Sequence, residues 1–228
     1  IVRATVLAGN VVLEQTPEQL VLAPNVAATA GGLSYTGELV SVRGYAFDLG
    51  ESGWSAGFAD YPVDVLPADW EMATGVIAMP PAWPERNGFM LQGHNRSDDL
   101  FMYLRRQFGP AEGLQPSTTY AVWVEFDLAT NAPAGAVGVG GAPGESVSAK
   151  VGAALTEPLP VAAEDGNWQL SVDKGNQSEG GAAAVVVGNV AKPGGASDGD
   201  DEYALKTLSN ATQPLVVRTG ADGTLWVF

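Results

Sequence analysis

The chain has 228 residues, with 26 acidic against 11 basic side chains, a formal net charge of −15, no cysteine and one histidine. Those counts exclude disulfides, thiolate metal centres, thiol catalysis and any site built on two imidazoles; the acidic balance excludes a nucleic-acid binder, which needs clustered Lys and Arg. Apolar residues, at 46%, are too frequent for a disordered chain, and no window approaches the roughly 18 uninterrupted apolar residues of a membrane span.

The 29 glycines and 15 prolines punctuate the chain at short intervals, with Val, Thr, Tyr, Phe and Trp between them. That pattern predicts an all-β fold, an antiparallel β-sandwich of jelly-roll type. In chain order, strands are expected at 1–7, 10–13, 19–22, 39–48, 75–79, 88–93, 100–108, 119–127, 146–151, 168–172, 182–190, 203–208, 215–219 and 225–228. Residues 1–37 read as an N-terminal arm or hairpin, joined by the small, flexible stretch 23–32 to a sandwich domain at 38–228. In Leu100-Phe101-Met102-Tyr103-Leu104 both faces are apolar, as in a central strand covered on both sides. Leu114-Gln115-Pro116-Ser117-Thr118-Thr119-Tyr120 is a turn feeding a strand in which Tyr120, Val122, Val124 and Phe126 share a face. Trp123 and Glu125 then face the other side. Ala221-Asp222-Gly223-Thr224 predicts a tight hairpin between the last two strands. The longest loops are 131–146 and 192–202.

Ile1 opens directly in a strand-like run without an initiator Met or basic leader, which reads as a mature or trimmed product. Thr224-Leu225-Trp226-Val227-Phe228 reads as a buried strand, so further residues are expected beyond it. Low charge, few lysines and strand-rich composition point to an exported bacterial protein, periplasmic or secreted. Three N-x-S/T triplets, at Asn95, Asn176 and Asn210, matter only in a eukaryotic host.

Tyr45-Ala46-Phe47-Asp48-Leu49-Gly50-Glu51-Ser52-Gly53-Trp54 resembles the opening of galactose-binding-like and carbohydrate-binding jelly-roll modules. The Gly113–Tyr120 stretch is similar to their lead-in to a core strand. Gly57-Phe58-Ala59-Asp60-Tyr61-Pro62, Asn95-Arg96-Ser97-Asp98-Asp99-Leu100-Phe101-Met102, the run from Gly138 to Val147, and Gly223-Thr224-Leu225-Trp226-Val227-Phe228 resemble a group of uncharacterised exported bacterial β-sandwich proteins. The resemblance spans about 38–228. It implies a fold and an extracytoplasmic location, and no activity.

Four constellations carry chemistry. Around His94, the neighbours Asn95, Asp98 and Asp99 offer a base or metal ligand with carboxylate partners. Ser97 lacks the G-x-S-x-G elbow of a nucleophile, so a polar loop is the simpler reading. Asp198, Asp200, Asp201 and Glu202 supply oxygen ligands of the kind calcium takes. Their spacing fails the EF-hand pattern, and a solvated loop is the commoner outcome. No other cofactor is implied. The glycines at 138, 140, 141 and 144 lack the following helix of a phosphate loop, so a shaped loop in which Glu145 and Lys150 pair or face a partner is expected instead. Asp173, Asn176 and Gln177 lie in a dense polar turn that could hold sugar hydroxyls beside a ring; Trp70 and Trp83, in Pro-rich segments, are the rings expected to be exposed.

No sequence rule pairs two carboxylates for glycoside cleavage. The expectation is therefore a non-enzymatic, extracytoplasmic β-sandwich binding or accessory protein that docks on a protein assembly or an envelope component. A carbohydrate-binding module, with calcium support, is the alternative; a hydrolase using His94 or an acid pair stands third. The partner is a protein complex or a polysaccharide, with no nucleic acid and no transmembrane segment.

Overall fold

The computed structural model describes residues 2–9, 26–30, 33–138, 141–194 and 202–228. Among these, the chain forms β1 (Val2–Gly9), β2 (Val26–Ala30), β3 (Leu33–Tyr45), β4 (Ser55–Ala59), β5 (Tyr61–Pro62), β6 (Ala73–Ala78), β7 (Asn87–Gln92) and β8 (Phe101–Phe108). It continues through β9 (Thr119–Thr130), β10 (Ser148–Ala154), β11 (Pro160–Ala162), β12 (Asn167–Leu170), β13 (Ala184–Asn189), β14 (Ala204–Ser209), β15 (Leu215–Arg218) and β16 (Leu225–Val227). Among the described residues helix is confined to two short 3-10 turns, at Pro67–Trp70 and Pro110–Glu112. The all-β expectation holds. No helix among the described residues is long and apolar enough to cross a membrane.

Every pairing is antiparallel. The larger sheet runs β14-β9-β1-β3-β2, with β15 also on β9; the second runs β13-β10-β16-β8-β4. A three-stranded sheet (β11-β12-β5) and the β6–β7 hairpin complete the set. β9 is long enough to take three partners, because β14 occupies its 125–130 half and β15 its 119–122 half, while β1 runs along its other edge.

One apolar cluster joins the two large sheets. Tyr120, Val122 and Val124 of β9 and Leu215 of β15 meet Phe108, Val151, Ala153, Val185, Leu225 and Val227 of the second sheet. Period-2 alternation places 120, 122 and 124 together as expected. Trp123 is also buried, at 8% exposure. The Tyr120 hydroxyl accepts the Gln115 N–H at 2.7 Å, with Leu114 fully buried beneath the same turn. β8 is central, between β16 and β4, as its two apolar faces predicted.

A second, smaller cluster of Ala59, Tyr103 and Leu170, with Phe101 and Val172 against it, ties β4 and β8 to β12. Tyr103 sits opposite Gly57 on β4, its ring in the space a Cβ would fill. This cluster is the floor under the site described next.

Three expectations change. The final two strands are not a hairpin: β15 pairs with β9 and β16 with β8 and β10, so the chain crosses between sheets at 219–224. The turn is held by Gly220 and Gly223 backbone bonds and by Asp222, which accepts from the Thr224 N–H and hydroxyl. Val26–Ala30, which composition marks as a flexible link, is a strand paired with β3. Of the two readings for Glu145 and Lys150, the mutual pair does not form, since Glu145 takes the Gly135 N–H and Lys150 turns to the 174–179 loop. The strands expected at 10–13 and 19–22 lie outside the described residues.

Candidate functional site

Two polar segments far apart in sequence meet at one end of β8 and β12. The loop from Gly93 to Leu100 leads into β8; the loop from Ser171 to Ala183 leaves β12. Gln177 Nε2 donates to Asp99 Oδ1 at 2.8 Å across them. Between them opens a cleft of about 550 Å³.

Each loop is held by its own side chains. Asn95 Oδ1 accepts the N–H groups of Ser97 and Leu100, at 3.2 and 3.3 Å, closing the first loop as an Asx turn. In the second, Asp173 accepts from Gly175 N–H at 3.0 Å and Ala182 N–H at 2.9 Å, joining the two ends of the turn. These bonds to the ionised form hold its carboxyl below the usual carboxylate range. Gly181 lies where a Cβ would strike the Asp173 carboxylate and the Gly175 amide, so this turn closes only around glycine.

Beneath the second loop lie two lysines. Lys150 Nζ donates to the carbonyls of Lys174 at 2.9 Å and Glu179 at 2.7 Å. Burial, then the neighbouring Lys174 charge, pulls its ammonium pKa down. Lys174 is itself buried: its Nζ pairs with Asp60, donates to the Gly175 carbonyl and lies 4.9 Å from the Phe101 ring centre. A buried ammonium with a carboxylate, a carbonyl and a ring around it is a structural pin.

The strand side of the cleft comes from β12. Asp165 accepts the Asn167 N–H at 3.0 Å and Gln169 Nε2 at 2.9 Å. Leu170 and Val172, on the alternate face, pack down into the Ala59–Tyr103 cluster beneath it. The carboxamides of Asn167 and Asn176 and the hydroxyl of Ser97 also line the cleft and take no hydrogen-bond partner among the described residues.

Thus Asp99, Asp173 and Asn176 line one cleft, with Gln177 bonded across its rim. Asn95 supports its loop from within. Asp98 is exposed at φ +66° beside it. His94 is not in the lining: its Nδ1 lies 3.5 Å from Glu71 Oε1, with both side chains more than half exposed. The backbone N–H of His94 donates to the Trp70 carbonyl.

Trp70, expected to be open, is 5% exposed and packs 6.1 Å from the Tyr61 ring. The Pro67–Trp70 turn folds the indole inward rather than presenting it. Trp83 is half-buried in a turn of its own and is not in the cleft. Asp198, Asp200 and Asp201 lie outside the described residues; Glu202 is exposed. Among the described residues no group of three or more His, Asp or Glu side chains is placed to hold a metal ion.

Sequence reasoning missed the β12 contribution. Asp165, Asn167 and Gln169 alternate with Gly166, Trp168 and Leu170, the period-2 signal of one polar strand face, which could have drawn them together. It also missed Lys174 as the pin, because a lysine in a polar turn normally reads as solvated.

Comparison with protein-family models, with curated proteins and with solved structures gave no match.

Proposed function

We propose that this chain is a non-enzymatic, exported β-sandwich binding module that docks on an envelope component or protein assembly through the cleft between the 93–100 and 171–183 loops. The observation that carries the reading is the convergence of these loops into a cleft whose carboxylates are already committed. Asp60 is engaged by Lys174, Asp99 by Gln177, Asp165 by Asn167 and Gln169, and Asp173 by two backbone amides. Acid–base catalysis needs a carboxyl poised near neutral pH; Asp173 is displaced the other way. A rigid, pre-arranged polar surface instead favours recognition, because little ordering cost remains to be met on binding.

The sandwich reading is supported by the apolar cluster shared between the two large sheets and by the Tyr120–Gln115 bond. A tyrosine hydroxyl bonded to backbone a few residues upstream is the corner found in Greek-key sandwiches. The galactose-binding-like resemblance and the extracytoplasmic location belong to the same proposal.

Site-directed photocrosslinking tests it. A benzophenone side chain at Ser178, exposed and next to the Gln177 that bonds Asp99, should capture material from a fractionated envelope preparation. The same probe at Val216, 59% exposed on β15, should not. Capture at Val216 with none at Ser178 would overturn the assignment of this cleft.

A further inference from the structure

We infer that Lys174 and Asp60 condense into an isopeptide bond, an amide from Lys174 Nζ to Asp60 Cγ that ties the end of β4 to the loop after β12. The inference is independent of what the cleft binds. The two groups are in direct contact, and both side chains are largely buried. The Phe101 ring centre lies 4.9 Å from the Lys174 nitrogen, and that ring packs against the cluster of Ala59, Tyr103 and Leu170. Withdrawing two charges from water is costly, and a neutral amide keeps the contact without that cost.

Both partners are fixed before they react. The Asp60 N–H donates to the Trp168 carbonyl. Its φ of +61° lies in the left-handed region, where a residue with a Cβ is strained, and in that conformation the carboxyl meets Lys174. On the other side, the Lys174 carbonyl accepts Lys150 Nζ at 2.9 Å, and Lys174 Nζ donates to the Gly175 carbonyl at 3.0 Å. Groups held in contact this way react at effective concentrations of about 10⁵–10⁸ M, which drives condensation even in water. The part-buried pairs Arg105–Glu157 and Arg106–Glu112 lack this chemistry, because a guanidinium stays protonated and offers no amine.

The step balances within the pair. One ammonium proton passes to the Asp60 carboxylate, leaving an amine and a carboxylic acid. The Nζ lone pair attacks Cγ, the C–N bond forms, and the carbonyl electrons move onto oxygen. As they return, the C–O bond to the hydroxyl breaks. The hydroxide takes a second proton from the nitrogen and leaves as water into the cleft, which both residues border. Nothing is oxidised or reduced. The Lys150 ammonium, whose field reaches Asp60, stabilises the oxygen charge of the tetrahedral intermediate.

Mass spectrometry of the denatured full chain tests this. The protein should weigh one water less than its sequence. Trypsin should release a branched species joining residues 44–86 to residues 151–206, uncut at the modified Lys174 and at Lys192, which precedes a proline. Asp60→Ala and Lys174→Arg should each restore the full sequence mass. Both should also run more slowly than the parent on a boiled denaturing gel, because a crosslink keeps the unfolded chain compact. A parent at its full sequence mass overturns the inference, whether or not either variant folds. So does a water lost within one linear peptide, the mark of a succinimide at Asp165-Gly166 or Asp222-Gly223, and so does a loss that persists in both variants.

Discussion

Asn210 is a polar side chain only 2% exposed to solvent. Its Oδ1 accepts the Val124 N–H at 2.7 Å, and its Nδ2 donates to the carbonyls of Val122 at 3.0 Å and Gln213 at 3.3 Å. It stands where β14 has ended opposite Glu125 and β15 has not yet begun opposite Val122. The side-chain amide fills the missing rung of the ladder on β9. Replacing it by alanine orphans a buried N–H, at about 1–3 kcal/mol, and removes two donations worth about 0.5–1.5 kcal/mol each. With some relaxation the loss should be about 3–4 kcal/mol, a large share of the roughly 5–15 kcal/mol that holds a domain of this kind. Urea unfolding followed by tryptophan fluorescence reads this directly, and the melting temperature should fall by about 10 °C. Asn210→Asp keeps the acceptor but turns a carboxylate toward two carbonyls, so its deficit should shrink on acidification, as the protonated carboxyl regains a donor. Thr212→Ala, at an exposed position in the same triplet, should cost under about 0.5 kcal/mol. If Asn210→Ala were as harmless as Thr212→Ala, the idea that a side chain completes this sheet would be wrong.

Further outcomes follow from the same geometry. Asp173, held by the Ala182 and Gly175 amides, has a folded-state pKa below its unfolded value; its contribution is therefore present above about pH 4 and lost as pH falls through the lower folded value. Asp173→Asn should shallow the acid limb of a stability–pH profile and raise hydrogen exchange at Gly175 and Ala182. Tyr120→Phe removes the acceptor for the Gln115 N–H and should cost about 1–2 kcal/mol in urea unfolding. Gly57→Ala drives a methyl into the Tyr103 ring and should cost about 1–3 kcal/mol, with the change visible in the near-UV spectrum. Burial holds the Tyr45 and Tyr103 phenols above their ordinary pKa, so ultraviolet titration should show tyrosines still protonated when exposed ones have ionised; stability falls as pH rises past the unfolded-state value.

Much of the sheet content was readable because strand alternation and turn chemistry are local. Tyr120, Val122 and Val124 announced their common face, and Leu114–Tyr120 announced its turn. Where strands go was less readable. Leu215–Arg218 and Leu225–Val227 look like two arms of a hairpin, yet the Gly220–Gly223 turn delivers them to different sheets, a choice made by β9 and β8, 93 to 121 residues earlier in the chain. β4 was missed because its glycine and alanines carry no bulk; the Tyr103 ring opposite supplies it. At the site, the polar turns around Asp99 and Asp173 were visible, but their meeting was not, since the Gln177–Asp99 bond spans 78 residues. Trp70 was misread because a proline before a tryptophan says where the backbone bends, not which way the indole swings. Asn210 looked like a modification acceptor; burial removes it from reach of any enzyme acting on the folded chain.

The partner choice of β9 also bears on how this molecule acquires its shape. Val2 pairs with Phe126, and Ala204 with Thr130 at the far end of the same strand. Residues 2–8 therefore gain their neighbour on that side only once residues 120–126, more than a hundred positions further on, are present. Such long-range closure is slow, of the order of milliseconds to seconds.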